Sequence, residues 1–201
     1  MSVLVGKPAP DFTAAAIMGN GELVNEFQLS SQIKGKYGLL FFYPLDFTFV
    51  CPTELIALDH RHDDFVKRNV NVIGISIDSQ YTHLAWRNTP IDNGGIGNVK
   101  YPLVADTAHT ICRNYGIETT DGSVALRGSF LIDKAGIVRH QLVNDLPLGR
   151  NIDEALRTID ALQFHEEHGE VCPAGWQSGQ AGMKDTPEGV AAYLGENAEQ
   201  L

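Results

Sequence analysis

Long apolar runs are missing from this chain of 201 residues; none approaches the roughly 20 consecutive apolar positions of a membrane span. Cysteine is scarce, three in all, an odd count too small for a disulfide framework. In a reducing compartment, a bridge between any two of them is more often transient and catalytic than structural. Positive charge is also in short supply. Fifteen Lys and Arg stand against twenty-five Asp and Glu, a net charge of -10, which argues against nucleic acid or an anionic membrane as partner. No Gly-x-x-x-x-Gly-Lys-Ser/Thr loop is present. Gly94-Gly95-Ile96-Gly97 neither follows a strand nor opens a helix with dinucleotide-fingerprint spacing, so nucleotide, nicotinamide and flavin chemistry lack support and no cofactor is expected. The first ten residues carry one lysine and no apolar core, unlike an export signal, and a cytoplasmic location is the expectation.

What is present suffices for a globular α/β domain. Hydrophobic residues make up 43% of the chain, enough for one sizeable core and too many for disorder. The length favours one domain with an extension. Residues 12–18 and 22–27 read as a hairpin turned at the glycines of 19–21. Residues 37–43, nearly all apolar, read as a central strand covered on both faces, and Pro44 ends it. A helix is predicted from Pro52 to about Arg68, with Leu55, Leu58 and Phe65 on one side. There follow a strand at 70–77, a helix at 79–88, a strand at 101–105 and a helix at 107–115. A hairpin of 128–132 and 137–144 turns at Asp133-Lys134-Ala135-Gly136, and an amphipathic helix covers 152–168. Strands alternating with helices imply a sheet with helices packed on it. From Gly169 the composition shifts to Gly, Pro and Ala, with a last helical piece at 188–196; this reads as an arm and not a second domain.

Cys51 immediately precedes Pro52. Proline in a first turn lacks only an N–H that would be unpaired anyway, so a helix starts there. A sulfur at that position meets unpaired amides and the positive end of the helix dipole, which favour a thiolate over a thiol. A free cysteine is otherwise most often a small buried hydrophobe; the helix start moves Cys51 toward the nucleophile reading. The placement resembles the Cys-x-x-Cys of thioredoxin with Glu54 at the second position, so a disulfide partner must come from elsewhere in the chain or from another molecule.

The segment Phe42-Tyr43-Pro44-Leu45-Asp46-Phe47-Thr48-Phe49-Val50-Cys51-Pro52-Thr53-Glu54 resembles the peroxidatic signature of the typical 2-Cys peroxiredoxins, the group that includes bacterial alkyl hydroperoxide reductase C subunits. Val171-Cys172-Pro173-Ala174-Gly175-Trp176 resembles the resolving-cysteine motif of the same group, and the likeness runs from about Val3 to Tyr193. It implies a thioredoxin-like α/β fold with a central mixed β-sheet flanked by helices. Residues 1–165 would form the peroxidase domain and 166–201 a C-terminal arm. The implied reaction reduces hydrogen peroxide and organic hydroperoxides to water and alcohols, leaving Cys51 as a sulfenic acid. By the same resemblance Thr48 supplies a hydroxyl, Pro44 shields the pocket from water, and Arg127 offers forked N–H donors. Cys172 would then form an intersubunit disulfide with Cys51, reopened by thioredoxin or a dedicated disulfide reductase. Because a disulfide needs its α-carbons within about 7 Å, the helix around Cys51 would have to unwind. The implied assembly is a homodimer, and beyond it a decameric ring of five dimers.

Several residues keep blander readings. Arg127 could be a surface ion pair, although its apolar flanks read as a buried strand, where an unpaired charge is costly. Glu54 either orients the arginine, as the family pattern implies, or merely complements the helix start; both stay open. Cys112, among apolar neighbours, reads as core packing. His165, His168 and Cys172 offer three metal-ligand types, but no fourth is near, and the histidines read as caps of a helix C-terminus. Trp86 and Trp176 read as packing residues. The resembling family pairs a Gly-Gly-x-Gly loop with a Tyr-Phe tail helix, which slows disulfide formation and exposes the sulfenic acid to overoxidation. Here Leu194 follows Tyr193, implying a looser tail and intermediate sensitivity. Two other classes compete: an oligomeric holdase, and a zinc-binding interaction module built on residues 165–172.

Overall fold

The strand predicted at 37–43 becomes the pivot of a seven-stranded sheet because each of its side chains, on either face of the pleat, is buried. The structure is a computed structural model that describes residues 3–200; Met1, Ser2 and Leu201, at the outer ends of the two expected segments, lie outside the described residues. Its first elements are β1 (Thr13–Ile17), β2 (Leu23–Gln28), the short α1 (Leu29–Gln32) and β3 (Tyr37–Phe42). Next come α2 (Cys51–His60), α3 (His62–Lys67), β4 (Val70–Ser76), α4 (Gln80–Asn88) and β5 (Leu103–Ala105). The series continues with α5 (Thr110–Asn114), β6 (Arg127–Ile132), β7 (Val138–Asn144), α6 (Ile152–His168) and α7 (Pro187–Asn197).

The strand order is β2-β1-β5-β4-β3-β6-β7, with β3, β4 and β5 parallel and the outer pairings antiparallel. Helical crossovers between the parallel strands follow from the geometry, since parallel neighbours cannot be joined by a tight turn. Period two then sorts side chains by face. Leu40 and Phe42 of β3 and Phe130 and Ile132 of β6 enter one apolar cluster with Tyr115, Ile111 and Cys112. The Phe42, Tyr115 and Phe130 rings meet at centroid distances of 4.9 to 5.7 Å. Arg127 and Ser129 alternate with that cluster and fall on the opposite side of β6, with Phe41 of β3 paired to Ser129.

Both expected hairpins form. Gly21 takes φ 88 in the first, and Gly136 takes φ 80 in the second, where Asp133 Oδ1 accepts from the Ala135 and Ile137 amides. Three expected boundaries are corrected. The helix predicted over 52–68 is two, broken at Arg61 (φ -101, ψ 6), a turn that no glycine or proline announces. The strand predicted from Tyr101 begins at Leu103, because Pro102 has no N–H to give a ladder. The helix predicted from Thr107 begins at Thr110, because His109 takes the left-handed conformation (φ 58).

The described residues divide into two compact units, one ending at Ile152 and one starting at Asp153. In the second, Leu156 and Ile159 of α6 are buried, the Phe164 and Trp176 rings lie 4.8 Å apart, and Val171 and Met183 form a two-residue bridge. Among the described residues no helix is long and apolar enough to cross a membrane. Phe130 is fully buried between two aromatic rings, so Phe130→Ala should lower unfolding free energy by about 3–5 kcal/mol. Urea denaturation checks this; a loss of only about 1 kcal/mol, the average for any substitution, would mean the aromatic cluster does not organise the core.

Candidate active site

The chain leaves β3 at Phe42, turns at Pro44 and reaches α2 at Cys51 through a loop pinned by buried polar contacts. Tyr43 Oη donates to Asp46 Oδ1 at 2.8 Å, and His83 Nδ1 lies 2.7 Å from Asp46 Oδ2. His83 Nε2 faces the Val104 carbonyl at 3.2 Å, and the Asp46 amide donates to Asp78 Oδ2 at 2.8 Å. Burial pushes the Asp46 carboxyl above its ordinary value, against the hydrogen bond and charge of His83. Phe47 sits at φ 53, a strained conformation for an aromatic residue, with its ring 5.8 Å from that of Trp86. Trp86 is itself buried, and its Nε1 donates to the Gly94 carbonyl at 2.8 Å.

Cys51 is fully buried in the first turn of α2, with Pro52 beside it. The sequence leads one to expect free helix amides near the sulfur. Instead, the Thr53 and Glu54 amides both donate to the Val50 carbonyl, because Val50 already has helical dihedrals. Two side chains contact the sulfur. Thr48 Oγ1 lies 3.0 Å from Sγ and also 2.8 Å from the Leu45 carbonyl; Arg127 Nη1 lies 3.5 Å from Sγ. A hydroxyl has one proton. It can donate to Leu45 while accepting from a thiol, or turn to donate to a thiolate.

Arg127 is held from two sides: its Nε donates to the Leu146 carbonyl at 2.6 Å, and its Nη1 to Glu54 Oε2 at 2.7 Å. Glu54 is shared with a residue that sequence reasoning missed. Arg150 donates to Oε1 from its amide (2.8 Å) and Nε (2.9 Å), and to Oε2 from Nη2 (3.1 Å). Its Nη1 donates to the Gly128 carbonyl and Ser129 Oγ, and its guanidinium lies over the Phe41 ring at 3.2 Å. The Glu54 carboxylate thus binds Arg127 of β6 and Arg150 of the segment before α6, which is more than a complement to the helix start. Burial pushes the Glu54 carboxyl up, but the hydrogen bonds and charge of Arg150, with the charge of Arg127, outweigh it and hold the pKa below the ordinary value. The only sequence signal for Arg150 was a charge beside Gly149 at the start of an amphipathic helix, which reads as a solvated cap.

Pro44, Thr48 and Arg127, with Leu45, Val124 and Leu146, line an open and largely apolar cleft of about 580 Å³. Pro44, Thr48, Cys51, Glu54 and Arg127 therefore come together in the first unit. Cys172 lies in the second, part-buried, with Sγ 3.4 Å from the Ala161 carbonyl. Burial pushes the Cys172 thiol up, against the pull of the Arg157 guanidinium. The Arg157 Nη1 donates to the Trp176 carbonyl, and Trp176 is buried, as a packing residue should be. His168 Nδ1 lies 3.1 Å from the Phe164 carbonyl in the last turn of α6, as a C-terminal cap would, whereas His165 Nδ1 lies 2.8 Å from the carbonyl of Glu170, beyond the helix. Cys112 is fully buried in the apolar cluster, and burial together with the nearby Asp106 charge pushes its thiol up to about 12. All three cysteines are free thiols.

Residues 5–141 match the AhpC/TSA family, and residues 161–196 match the C-terminal domain of 1-Cys peroxiredoxin. The chain belongs to the AhpC/TSA family. It is similar to alkyl hydroperoxide reductase C of Helicobacter pylori, 56% identical over 199 residues that cover 99% of this chain and 100% of the relative. Peroxiredoxin-1 of Gallus gallus is 53% identical over 190 residues, 94% of each chain. The solved structure of reduced Plasmodium vivax 2-Cys peroxiredoxin superposes with a TM-score of 0.93 at 53% identity, covering 96% of this chain and 100% of that one. The fold is thus the thioredoxin-like fold of the peroxiredoxins, and the protein is a thiol-dependent peroxidase with an antioxidant role.

The arginine pair gives this peroxiredoxin a pH signature. A carboxyl whose folded pKa lies below its unfolded value adds stability that is complete above the unfolded value and is lost as pH falls through the folded one. Glu54→Gln should therefore cost about 3–5 kcal/mol at neutral pH, where it leaves two buried guanidiniums without their counter-charge. The deficit should shrink only below the ordinary carboxyl value of 4.5. Urea denaturation of both proteins across pH tests this; a deficit independent of pH down to strong acid would contradict it.

Proposed function

We propose that this peroxiredoxin runs a two-cysteine cycle in which Cys51 is the peroxide-reducing thiol and Cys172 the resolving one. The reading rests on one observation: Thr48 and Arg127 both reach the Cys51 sulfur, and both line a cleft that its loop borders. The Cys51 thiolate attacks the terminal oxygen of a hydroperoxide. An S–O bond forms, the O–O bond breaks, and its electron pair leaves with the distal oxygen, which takes a proton to give an alcohol or water. Thr48 and Arg127 stabilise charge along the S–O–O axis with fixed donors, and Pro44 keeps bulk water off it. Glu54 is the positioning residue that aims Arg127.

Cys172 of the partner subunit then displaces water from the sulfenic acid and forms the intersubunit disulfide, and thioredoxin or a dedicated disulfide reductase reopens it. Family resemblance at residues 171–176 supports this step. Since Cys51 is fully buried in a helical turn, the bridge requires that turn to open. On this reading residues 1–165 form the peroxidase domain, 166–201 the arm, the working unit is a homodimer within a decameric ring, and the site of action is the cytoplasm.

Peroxide consumption coupled to NADPH through thioredoxin and its reductase tests the cycle. Cys51→Ser should abolish turnover, and Cys172→Ser should give one fast oxidation and no cycling. Thr48→Val should slow peroxide reduction by a factor on the order of 10²–10³, as the loss of one transition-state donor does. Sustained thioredoxin-driven turnover in Cys172→Ser would refute the two-cysteine reading, and surviving activity in Cys51→Ser would refute the whole assignment.

The family's brake on disulfide formation is only partly present. Gly95 cannot carry a side chain, since a Cβ there would collide with the Thr89 carbonyl, so the glycine loop keeps its tight form. In α7, Leu194 is 44% exposed where the family has phenylalanine. Intermediate overoxidation follows, read by intact mass as sulfinic Cys51 across a peroxide series during turnover. Leu194→Phe should raise the sulfinic fraction; no difference between the two would contradict a role for the tail.

A further inference from the structure

Cys112 has no part in the peroxide chemistry, yet two metal-binding side chains stand beside it. His109 Nδ1, Cys112 Sγ and a Glu118 carboxylate oxygen all lie within 4.8 Å of one another. His109 caps α5 from a left-handed turn, Cys112 lies inside that helix, and Glu118 follows it at the base of a hairpin, paired with Ala125. One short helix and its two flanks thus deliver a nitrogen, a sulfur and an oxygen donor to one place. Glu118 Oε1 is already 2.9 Å from His109 Nδ1. Its Oε2 accepts from Arg113 Nε at 2.9 Å, but that arginine side chain is 57% exposed and can give way to water.

The local field also suits a cation. Asp106 is buried, with its two oxygens 3.0 and 2.8 Å from the Ile111 and Cys112 amides, and Glu118 adds a second carboxylate. A dication coordinated there would take Cys112 as a thiolate, because a coordinated thiol loses its proton outright.

We propose that His109, Cys112 and Glu118 form a binding site for a divalent transition metal of the zinc class, with water as the fourth ligand. The donor set fixes the class. Imidazole and thiolate suit zinc and cobalt, whereas calcium and magnesium require a shell of oxygens. Three protein ligands with one open position make an exchangeable site and not a closed structural one. Bonds of about 2.0–2.3 Å put tetrahedral ligand atoms about 3.5 Å apart, so the widest separation closes by side-chain rotation of about 1 Å. Binding sends the Cys112 proton to solvent, shifts the His109 proton from Nδ1 to Nε2, replaces the His109–Glu118 hydrogen bond with two metal bonds and displaces Arg113 from Glu118; nothing is oxidised or reduced.

The chain has three cysteines, so in Cys51→Ser/Cys172→Ser protein Cys112 is the sole thiol, and Co2+ is a specific probe. Equimolar Co2+ should produce a near-ultraviolet thiolate-to-cobalt charge-transfer band that Zn2+ displaces. His109→Gln and Glu118→Gln should each weaken Co2+ binding by about tenfold or more. Zn2+ should raise the Tm of the double variant, and this rise should vanish when Cys112→Ser is added. Absence of the band at large Co2+ excess would overturn the proposal. So would a band whose affinity neither the His109 nor the Glu118 variant changes, since that is a lone thiol. Should Cys112→Ser not fold, those two variants, at part-buried positions and checked by circular dichroism, still decide the matter.

Discussion

The Glu54 carboxylate, buried between the guanidiniums of Arg127 and Arg150, is the interaction on which the active site depends. Two cations and one anion out of water would be costly if their hydrogen bonds were incomplete. Here Leu146 takes the Arg127 Nε proton, and Gly128 and Ser129 take those of Arg150 Nη1. What remains is one net positive charge, with Arg127 Nη1 aimed at the Cys51 sulfur. A thiolate there brings the cluster to neutrality. The arrangement sets the buried sulfur beside a cationic group, next to a cleft whose walls are largely apolar.

The sheet makes that cluster possible by separating the two faces of its central strands. On β6, Phe130 and Ile132 join the aromatic core while Arg127 and Ser129 turn the other way. A slip of one residue would bury the arginine in the aromatic cluster and expose the phenylalanine to the charges. Phe41 of β3 shows the same division, its ring receiving the Arg150 guanidinium while Leu40 and Phe42 pack in the core. Register in β3 and β6 is thus a condition of catalysis as well as of stability.

The loop between β3 and α2 needs its own support because it presents Thr48 to the sulfur from an irregular backbone. The Tyr43, Asp46 and His83 contacts and the Asp78 bond to the Asp46 amide anchor its start. Phe47, the residue after Asp46, holds an unfavourable dihedral. Strain of that kind persists only where neighbours over-determine the backbone, and here they lie on α4 and at the ends of β4 and β5.

Much of this was legible in the sequence. Apolar runs located the buried strands, glycines located both hairpin turns, and Pro52 located the start of α2 next to Cys51. The long motifs around Cys51 and Cys172 carried the family. The break at Arg61 was not legible, because no residue there has a backbone preference strong enough to mark it. Nor was Arg150, since an arginine before a helix looks the same in sequence whether water or a buried carboxylate receives it. By itself, then, the sequence determined the order of most strands and helices and the family's chemistry, because those depend on local periodicity and on which atoms are present. Only the tertiary structure decided that side chains rather than helix amides contact the sulfur, and that Glu54 serves two arginines. Those facts depend on which distant residues the sheet register brings within hydrogen-bond range.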